Sequence, residues 1–209
     1  MARSSTSRRL RLAARRTIEN SLRRRGFDSV AGADEVGRGA LAGPVVAAAV
    51  VLDPRRHIPG LRDSKLLTPA QRERLYTEIT GSARWAVGSV TPADVDRLNV
   101  HRASLDALRQ AIAALEPRPA FALIDGFRVP DLGVPQRGIA GGDRRCAAIA
   151  AASIVAKVTR DREMARLHEV DPRYGFDRHK GYATRAHLEA VARFGYSEAH
   201  RRTFRPRAL

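Results

Sequence analysis

The chain has 209 residues, 44% of them hydrophobic, a single cysteine and a formal net charge of +16. That length suits one sizeable domain, and no uninterrupted apolar run approaches ~18 residues, so nothing reads as a membrane span. One cysteine, Cys146, excludes an internal disulfide and suits a reducing, cytoplasmic setting. The charge calls for a polyanion, most simply nucleic acid, although ribosomal and membrane-surface proteins share such basicity.

Residues 1–16 are rich in Arg and Ser and contain no acid. They resemble a transit peptide in composition and are read here as a disordered basic tail, with one domain over 17–209. Ile18 and Leu22 indicate a short amphipathic helix leading to Phe27. Val30 to Leu52 reads as a buried strand, a glycine-rich turn and a second buried strand. Asp53-Pro54 and Ile58-Pro59-Gly60 mark a loop that delivers Asp63-Ser64-Lys65-Leu66. Thr68-Pro69 is an N-cap and first helical position, opening a helix to about Thr80. Trp85 to Val90 is a third strand. A helical region starts at Thr91-Pro92, breaks near Asn99 and resumes through Leu105, Leu108, Ile112 and Leu115.

Phe121 to Asp125 is a fourth strand ending on a carboxylate, and Arg137 to Ala140 a fifth. A long helix runs from Cys146 to about Val170. Its first half is nearly all alanine, which suits close packing on a sheet. Arg173 to Tyr182 is irregular and basic, and Thr184 to Phe194 is a last helix. There is no internal repeat.

Three strand ends carry acids beside glycine: Asp34-Glu35, Asp125 and Asp143. An isolated Asp-Glu pair is usually a solvated turn, but here the flanks are uncharged and strand-like. Burying carboxylates without a partner costs several kcal/mol or more. Four hard oxygen donors suit Mg²⁺ or Mn²⁺ rather than zinc, and the six histidines are scattered. Two such ions would activate water and stabilise the leaving oxygen of a phosphodiester. Adjacent strand residues point to opposite faces, so the strand must end or bulge at Asp34-Glu35, or Glu35 must arrive from the side. Gly37-Arg38-Gly39 follows, with backbone open to an anion. Gly37-x-Gly39-x-x-x-Gly43 is one residue too long for a dinucleotide fingerprint, and a strand follows it rather than a helix.

Only three of the 38 basic residues are lysine: Lys65, Lys157 and Lys180. A lysine in so arginine-rich a chain points to a site needing a compact ammonium, with chance as the alternative. Lys65 and Lys180 read as phosphate contacts or as solvated charges, and Lys157 as a residue that caps or pairs within its helix. Tyr182, flanked by Gly181 in a basic segment, reads as a stacking surface for a sugar or base, with a core tyrosine as the alternative.

Asp34-Glu35-Val36-Gly37-Arg38-Gly39 followed by Leu41-Ala42-Gly43-Pro44-Val45 resembles the signature of type 2 ribonuclease H, the bacterial ribonuclease HII family. Asp63-Ser64-Lys65, Ile124-Asp125-Gly126 and Gly142-Asp143 with Ile149 to Asp161 match further motifs in order. So do Tyr174-Gly175-Phe176, His179-Lys180-Gly181-Tyr182 and His200-Arg201-Arg202-x-Phe204. The resemblance implies a ribonuclease H-like α/β fold, a mixed five-stranded sheet flanked by helices with a helical C-terminal segment closing over the substrate. It implies metal ligands at Asp34, Glu35, Asp125 and Asp143, and ribonucleotide sensing by Gly37, Arg38, Gly39 and Tyr182, with Ser64, Lys65 and Lys180 also against substrate. The expected partners are RNA–DNA hybrids and duplex DNA with embedded ribonucleotides, cut by a monomeric enzyme of ribonucleotide excision repair.

Five positions, in three places, depart from the family pattern. Gly141 stands where lysine is usual, Arg144, Arg145 and Cys146 where serines are frequent, and Leu66 where a second lysine is usual. A DNA-only nuclease of the same fold and a non-catalytic nucleic-acid-binding protein remain rival readings.

Overall fold

The computed structural model describes residues 14–204. The expected tail therefore lies mostly outside the described residues, and 14–16 are tied down. The Ala14 N–H donates to the Leu61 carbonyl at 2.8 Å, and Arg16 Nη1 to the Asp53 carbonyl at 2.7 Å.

Five strands, β1 (Val30–Val36), β2 (Val45–Val51), β3 (Arg84–Val90), β4 (Phe121–Asp125) and β5 (Gln136–Ile139), form one sheet in the order β3-β2-β1-β4-β5. The β1-β2-β3 meander is antiparallel, and β4 and β5 run parallel to β1. This is the mixed five-stranded sheet expected. Helices α1 (Thr17–Arg24), α2 (Pro69–Thr80) and α5 (Ala147–Val170) cover one face through Leu22, Leu75, Ile79, Ile149 and Ile154. Helices α3 (Pro92–Leu98) and α4 (Val100–Ala113) cover the other through Val95, Ala107, Leu108 and Ile112.

Local chemistry sets these boundaries. Thr68 and Gln71 form a reciprocal capping box that opens α2. Asn99, at φ +67°, separates α3 from α4, and its side chain accepts the N–H groups of His101 and Arg102. Arg173 to Tyr182, expected to be irregular, instead contains a 3₁₀ turn (Pro172–Tyr174) and a one-turn helix, α6 (Phe176–His179). Asp171 caps the turn by accepting the Arg173 N–H, and Gly175 at φ +70° supplies the left-handed junction between the two. Helix α7 (Arg185–Phe194) is capped by Thr184.

Small residues let the layers meet backbone to backbone. A Cβ on Gly32 of β1 would lie 2.1 Å from the Ala148 carbonyl carbon of α5, and one on Gly88 of β3 would lie 2.2 Å from the Ala107 oxygen of α4. The alanines of α5 do what their composition suggested.

Midway along α5 and in the C-terminal segment, Arg160 and Arg201 are completely buried, and among the described residues no carboxylate is bonded to either. Arg160 donates to the carbonyls of Pro44, Lys180 and Ala42 at 2.9, 2.9 and 3.0 Å. Arg201 donates through Nε and Nη2 to Gly43 and through Nη1 to Arg38. The C-terminal segment closes on the β1–β2 loop: Arg201 N–H bonds the Leu41 carbonyl, Gly43 N–H bonds that of Ala199, and Leu41 N–H bonds that of Gly181. Burial holds both guanidinium pKa values below their usual range, Arg201 at about 10 with Arg160 as the second cause, so both remain charged near neutrality.

Arg160→Met should lower unfolding stability by about 3 kcal/mol or more, because it strips a buried charged donor from three carbonyls at once. Arg160→Lys should recover only part, since an ammonium lacks the planar fork. An unchanged urea midpoint for the Met variant would show that the clamp contributes nothing. Gly32→Ala should cost roughly 1–3 kcal/mol by forcing β1 off α5, read as a lower melting temperature against wild type.

Candidate active site

β1 pairs with β4 only as far as Ala33 opposite Ile124, so Asp34 and Glu35 extend past the parallel pairing. They stay in register with Ala48 and Ala47 of β2, and the strand neither ends nor bulges at the acids. The alternation is therefore kept. Asp34 lies on the same face as Gly32, towards α5, and Glu35 on the face of Ala33, towards α4. The strand therefore stays regular through both acids, with the Glu35 carboxylate turned to Arg38.

Asp125 ends β4 on the α5 face, the face of Leu123. Asp143 sits in a 3₁₀ turn (Gly142–Arg144) directly ahead of α5. The Gly142 N–H donates to Asp125 Oδ1 at 2.6 Å, joining the end of β4 to the start of that helix. Asp34 and Asp143 are 9% and 7% exposed.

The acids act on one another. Burial, then the charges of Glu35, Asp125 and Asp143, push the Asp34 carboxyl well above the usual carboxylate range. The Asp34 Oδ1 accepts the Glu35 N–H at 2.7 Å, which offsets part of that rise. Burial raises Glu35 as well, against the opposing pull of Arg38, whose Nη1 lies 3.0 Å from Glu35 Oε1. Asp143 is raised first by burial and next by Asp63 and Asp125. Asp63 is thus a fifth carboxylate at the site. Sequence reasoning passed over it although it opens the Asp63-Ser64-Lys65 motif.

Among the described residues, no three His, Cys, Asp or Glu side chains stand close enough to hold one ion as arranged. The donor chemistry nonetheless fits divalent cations. Buried carboxylates that raise one another's pKa values are stabilised together by a hard cation, and oxygen is the ligand such cations take. Asp34, Glu35, Asp125 and Asp143 are the residues that would hold them.

The residues expected against substrate divide by environment. Gly37, at φ +94°, has no room for a side chain: its Cβ would fall 2.3 Å from Arg160 Nε and 2.8 Å from the Pro44 oxygen. Its glycine is required by the protein's own interior. Gly39 is exposed, and a Cβ there would meet nothing within 4 Å. The Arg38 side chain turns to Glu35, and its guanidinium lies 5.5 Å from the Phe127 ring centroid. Ser64 is buried, with its N–H on Ser153 Oγ of α5. Lys65 is exposed and its charge is felt at Asp143. Lys180 adopts φ +53° and donates Nζ to the Asp177 carbonyl. Lys157 pairs with Asp161 at 2.6 Å, the intrahelical role. Tyr182 is 37% exposed, and the Arg160 guanidinium lies 5.6 Å from its ring centroid.

At the departure from the family pattern, Gly141 is left-handed, and Arg144 Nη2 stands 3.0 Å from where its Cβ would be. The arginine takes the space that a side chain at 141 would enter.

A family model for Ribonuclease HII matches residues 31–207. Ribonuclease HII of Shewanella amazonensis is 52% identical over 178 residues, covering 85% of this chain and 86% of that protein. Among solved structures, RNase HII in the PCNA:RNase HII complex from Archaeoglobus fulgidus superposes with a TM-score of 0.74 at 28% identity, over 87% of this chain and 97% of that one. Bst-RNase HIII in complex with Mn²⁺ gives a TM-score of 0.60 at 25% identity, over 84% and 67%. The fold is therefore ribonuclease H-like, and the chain belongs to the ribonuclease HII family of metal-dependent endoribonucleases.

Proposed function

We propose that this endonuclease both hydrolyses the RNA strand of RNA–DNA hybrids and incises on the 5′ side of ribonucleotides embedded in duplex DNA, leaving 3′-hydroxyl and 5′-phosphate ends. The observation that carries this reading is the junction of two loops beside the acids. The 37–44 loop leaves the carboxylate-bearing end of β1, and Arg160 joins it to the segment holding Tyr182. The loop that follows the acids and the segment that holds Tyr182 are thus joined through one buried guanidinium.

Mn²⁺ or Mg²⁺, bound as a pair at Asp34, Glu35, Asp125 and Asp143, would activate the attacking water and neutralise charge on the leaving oxygen. Everything else falls to the chain. The carboxylates are ligands rather than general bases, so they must be held ionised and immobile. The Gly142 N–H fixes Asp125 in place, and Arg38 fixes Glu35 while opposing the rise that burial imposes on its carboxyl. The 2′-hydroxyl is the one group that separates a ribonucleotide from its neighbours in DNA, and it both donates and accepts. The open backbone at Gly39 can approach it without side-chain obstruction, and Tyr182 offers a flat face and a phenolic O–H to the adjoining sugar. Lys65, Lys180 and Arg144 are placed to meet phosphates, with Arg144 standing in for a side chain at 141 and Ser64 holding the turn that carries Lys65. The protein works as a monomer in the cytoplasm, in ribonucleotide excision repair. No helix among the described residues is long and apolar enough to cross a membrane.

Asp125→Asn keeps size and hydrogen bonding but removes an anionic ligand. Cleavage should fall by about 10³-fold or more, the scale of lost electrostatic stabilisation, while duplex binding persists by gel shift. Near-normal turnover at saturating Mg²⁺ or Mn²⁺ would remove Asp125 from the site.

A duplex with one embedded ribonucleotide should be cut at that position, and the matching all-DNA duplex left intact. Tyr182→Ala should cripple the first reaction. Gly39→Val should do likewise while leaving thermal stability unchanged, whereas Gly37→Val should unfold the loop. Comparable cutting of the all-DNA duplex would favour the DNA-nuclease rival, and no cutting of any duplex with metal present would favour a binding protein.

A further inference from the structure

Three histidines scattered in the sequence, His179, His187 and His200, meet behind the 180–182 segment. The rings of His179 and His187 stack with centroids 4.4 Å apart, and the Nε2 atoms of His187 and His200 lie 3.1 Å apart. Donor counting assigns every proton. The Ser197 N–H donates to His200 Nδ1 at 3.0 Å, so the neutral ring carries its proton on Nε2. His187 Nε2 must then accept from it, which leaves the His187 proton on Nδ1, 2.9 Å from the Tyr182 carbonyl oxygen. Donation runs one way, from Ser197 through His200 and His187 to Tyr182. His179 is satisfied separately, accepting the Gly181 N–H at Nδ1 and donating from Nε2 to the Tyr174 carbonyl at 2.8 Å.

We propose that His187 and His200 are positioning residues, a relay of neutral imidazoles that anchors the Tyr182 carbonyl and so aims its ring at the substrate, and that acid releases it. The consequence for cleavage rests on the substrate role given to Tyr182 above; the relay itself does not. A second proton on His187 Nε2 would set two N–H groups against each other across 3.1 Å, and one on His200 Nδ1 would oppose the Ser197 N–H, with only the Ser197 Oγ, 2.8 Å away, able to turn and accept it. The segment is held besides by the Thr184 N–H, which also donates to the Tyr182 carbonyl at 2.7 Å, by the Tyr182 N–H on the His179 carbonyl, by the Leu41 N–H on the Gly181 carbonyl, and by Arg160 over the ring and on the Lys180 carbonyl.

The surroundings favour the neutral state. Burial lowers the pKa of all three rings, and that of His200 falls to about 4 with His187 as the second cause. Tyr174, Phe176 and Tyr196 pack against the cluster. Asp171 and Asp177 pull towards protonation, while Arg178 and Lys180 oppose it, and Arg173 is engaged with Asp171. Because the folded values are depressed, the unfolded rings take up protons first as pH falls below about 6.5. The relay's contribution is therefore complete above that pH and drains away towards about 4.

The test uses the full chain labelled with fluorotyrosine, the Tyr182 signal being assigned by Tyr182→Phe, together with nitrogen NMR of the imidazoles. The expected result is an Nε2 proton on His200 and an Nδ1 proton on His187, with the Tyr182 signal of the folded protein shifting as His200 takes up a proton, at about pH 4. In His187→Phe that signal should already be displaced at neutral pH. Cleavage of the one-ribonucleotide duplex should fall about tenfold there, the scale of one lost hydrogen bond, with duplex affinity unchanged. His187→Asn, which keeps a donor near the Nδ1 position and cannot titrate, should restore cleavage and abolish the acid shift of the Tyr182 signal. The opposite tautomers in wild type, or a Tyr182 signal unmoved by His187→Phe, would overturn the relay. A displaced signal with unchanged cleavage would support the relay and overturn the substrate role of Tyr182 instead. Should His187→Phe fail to fold, the wild-type tautomers and the His187→Asn pH response decide the matter.

Discussion

The site depends on two guanidinium groups buried against carbonyl oxygens. Removing a cation from water costs several kcal/mol, and the usual compensation is a carboxylate. Arg160 and Arg201 have none, and are held by the carbonyls of Arg38, Ala42, Gly43, Pro44 and Lys180. A carboxylate there would cancel the charge but would bind only the arginine. Carbonyls make the same charge organise backbone, because each guanidinium fork reaches several segments at once. The β1–β2 loop buries Ala40, Leu41 and Ala42, but its glycines and that of the Tyr182 segment leave both backbones free to take other paths unless something fixes them. With the clamp they share one.

That arrangement separates the two jobs the site must do. The carboxylates are positioned by the sheet: β1 holds Asp34 in register with Ala48, and β4 holds Asp125 beside Gly142. The backbone of the 37–44 loop is positioned by α5 through Arg160, whose Nε lies where a Gly37 side chain would be. Since α5 also begins at the Asp143 turn and lies on Gly32, one helix sets both acids and loop. Such coupling explains why the helix needs alanine at its start, for contact distance, and a long fork-ended residue three turns later.

What was legible in the sequence was whatever obeys a local rule. Thr68 with Pro69, Asn99, the alanine run of α5 and the acids beside glycine all declare themselves through their neighbours. What was not legible depends on partners distant in the chain. Arg160 and Arg201 sat among 38 basic residues and read as surface charge, because a guanidinium bound to carbonyls leaves no complementary acid to notice. His179, His187 and His200 read as scattered because their contacts cross α7. Asp63 was overlooked because its significance is its distance from Asp143. Gly37 and Gly39 looked equivalent as a pair, yet one is glycine for Arg160 and the other faces open space.

The same lesson changes the meaning of the net charge. Arg16, Arg72, Arg84 and Arg118 also spend donors on carbonyls, at Asp53, Leu67, Pro117 and Leu132. Several others pair with acids on their own helix, as Arg74 does with Glu78 and Arg97 with Asp94. A formal +16 is thus not +16 available to phosphates. Arginine here is first a structural residue that braces loops by its fork, and the field a polyanion meets comes from the cations left over. Lysine cannot brace in this way, which gives a physical reason for its scarcity. Of the three lysines, Lys65 is exposed in the turn after Asp63, Lys157 pairs with Asp161 and Lys180 donates to the Asp177 carbonyl, and none of these positions asks for a fork.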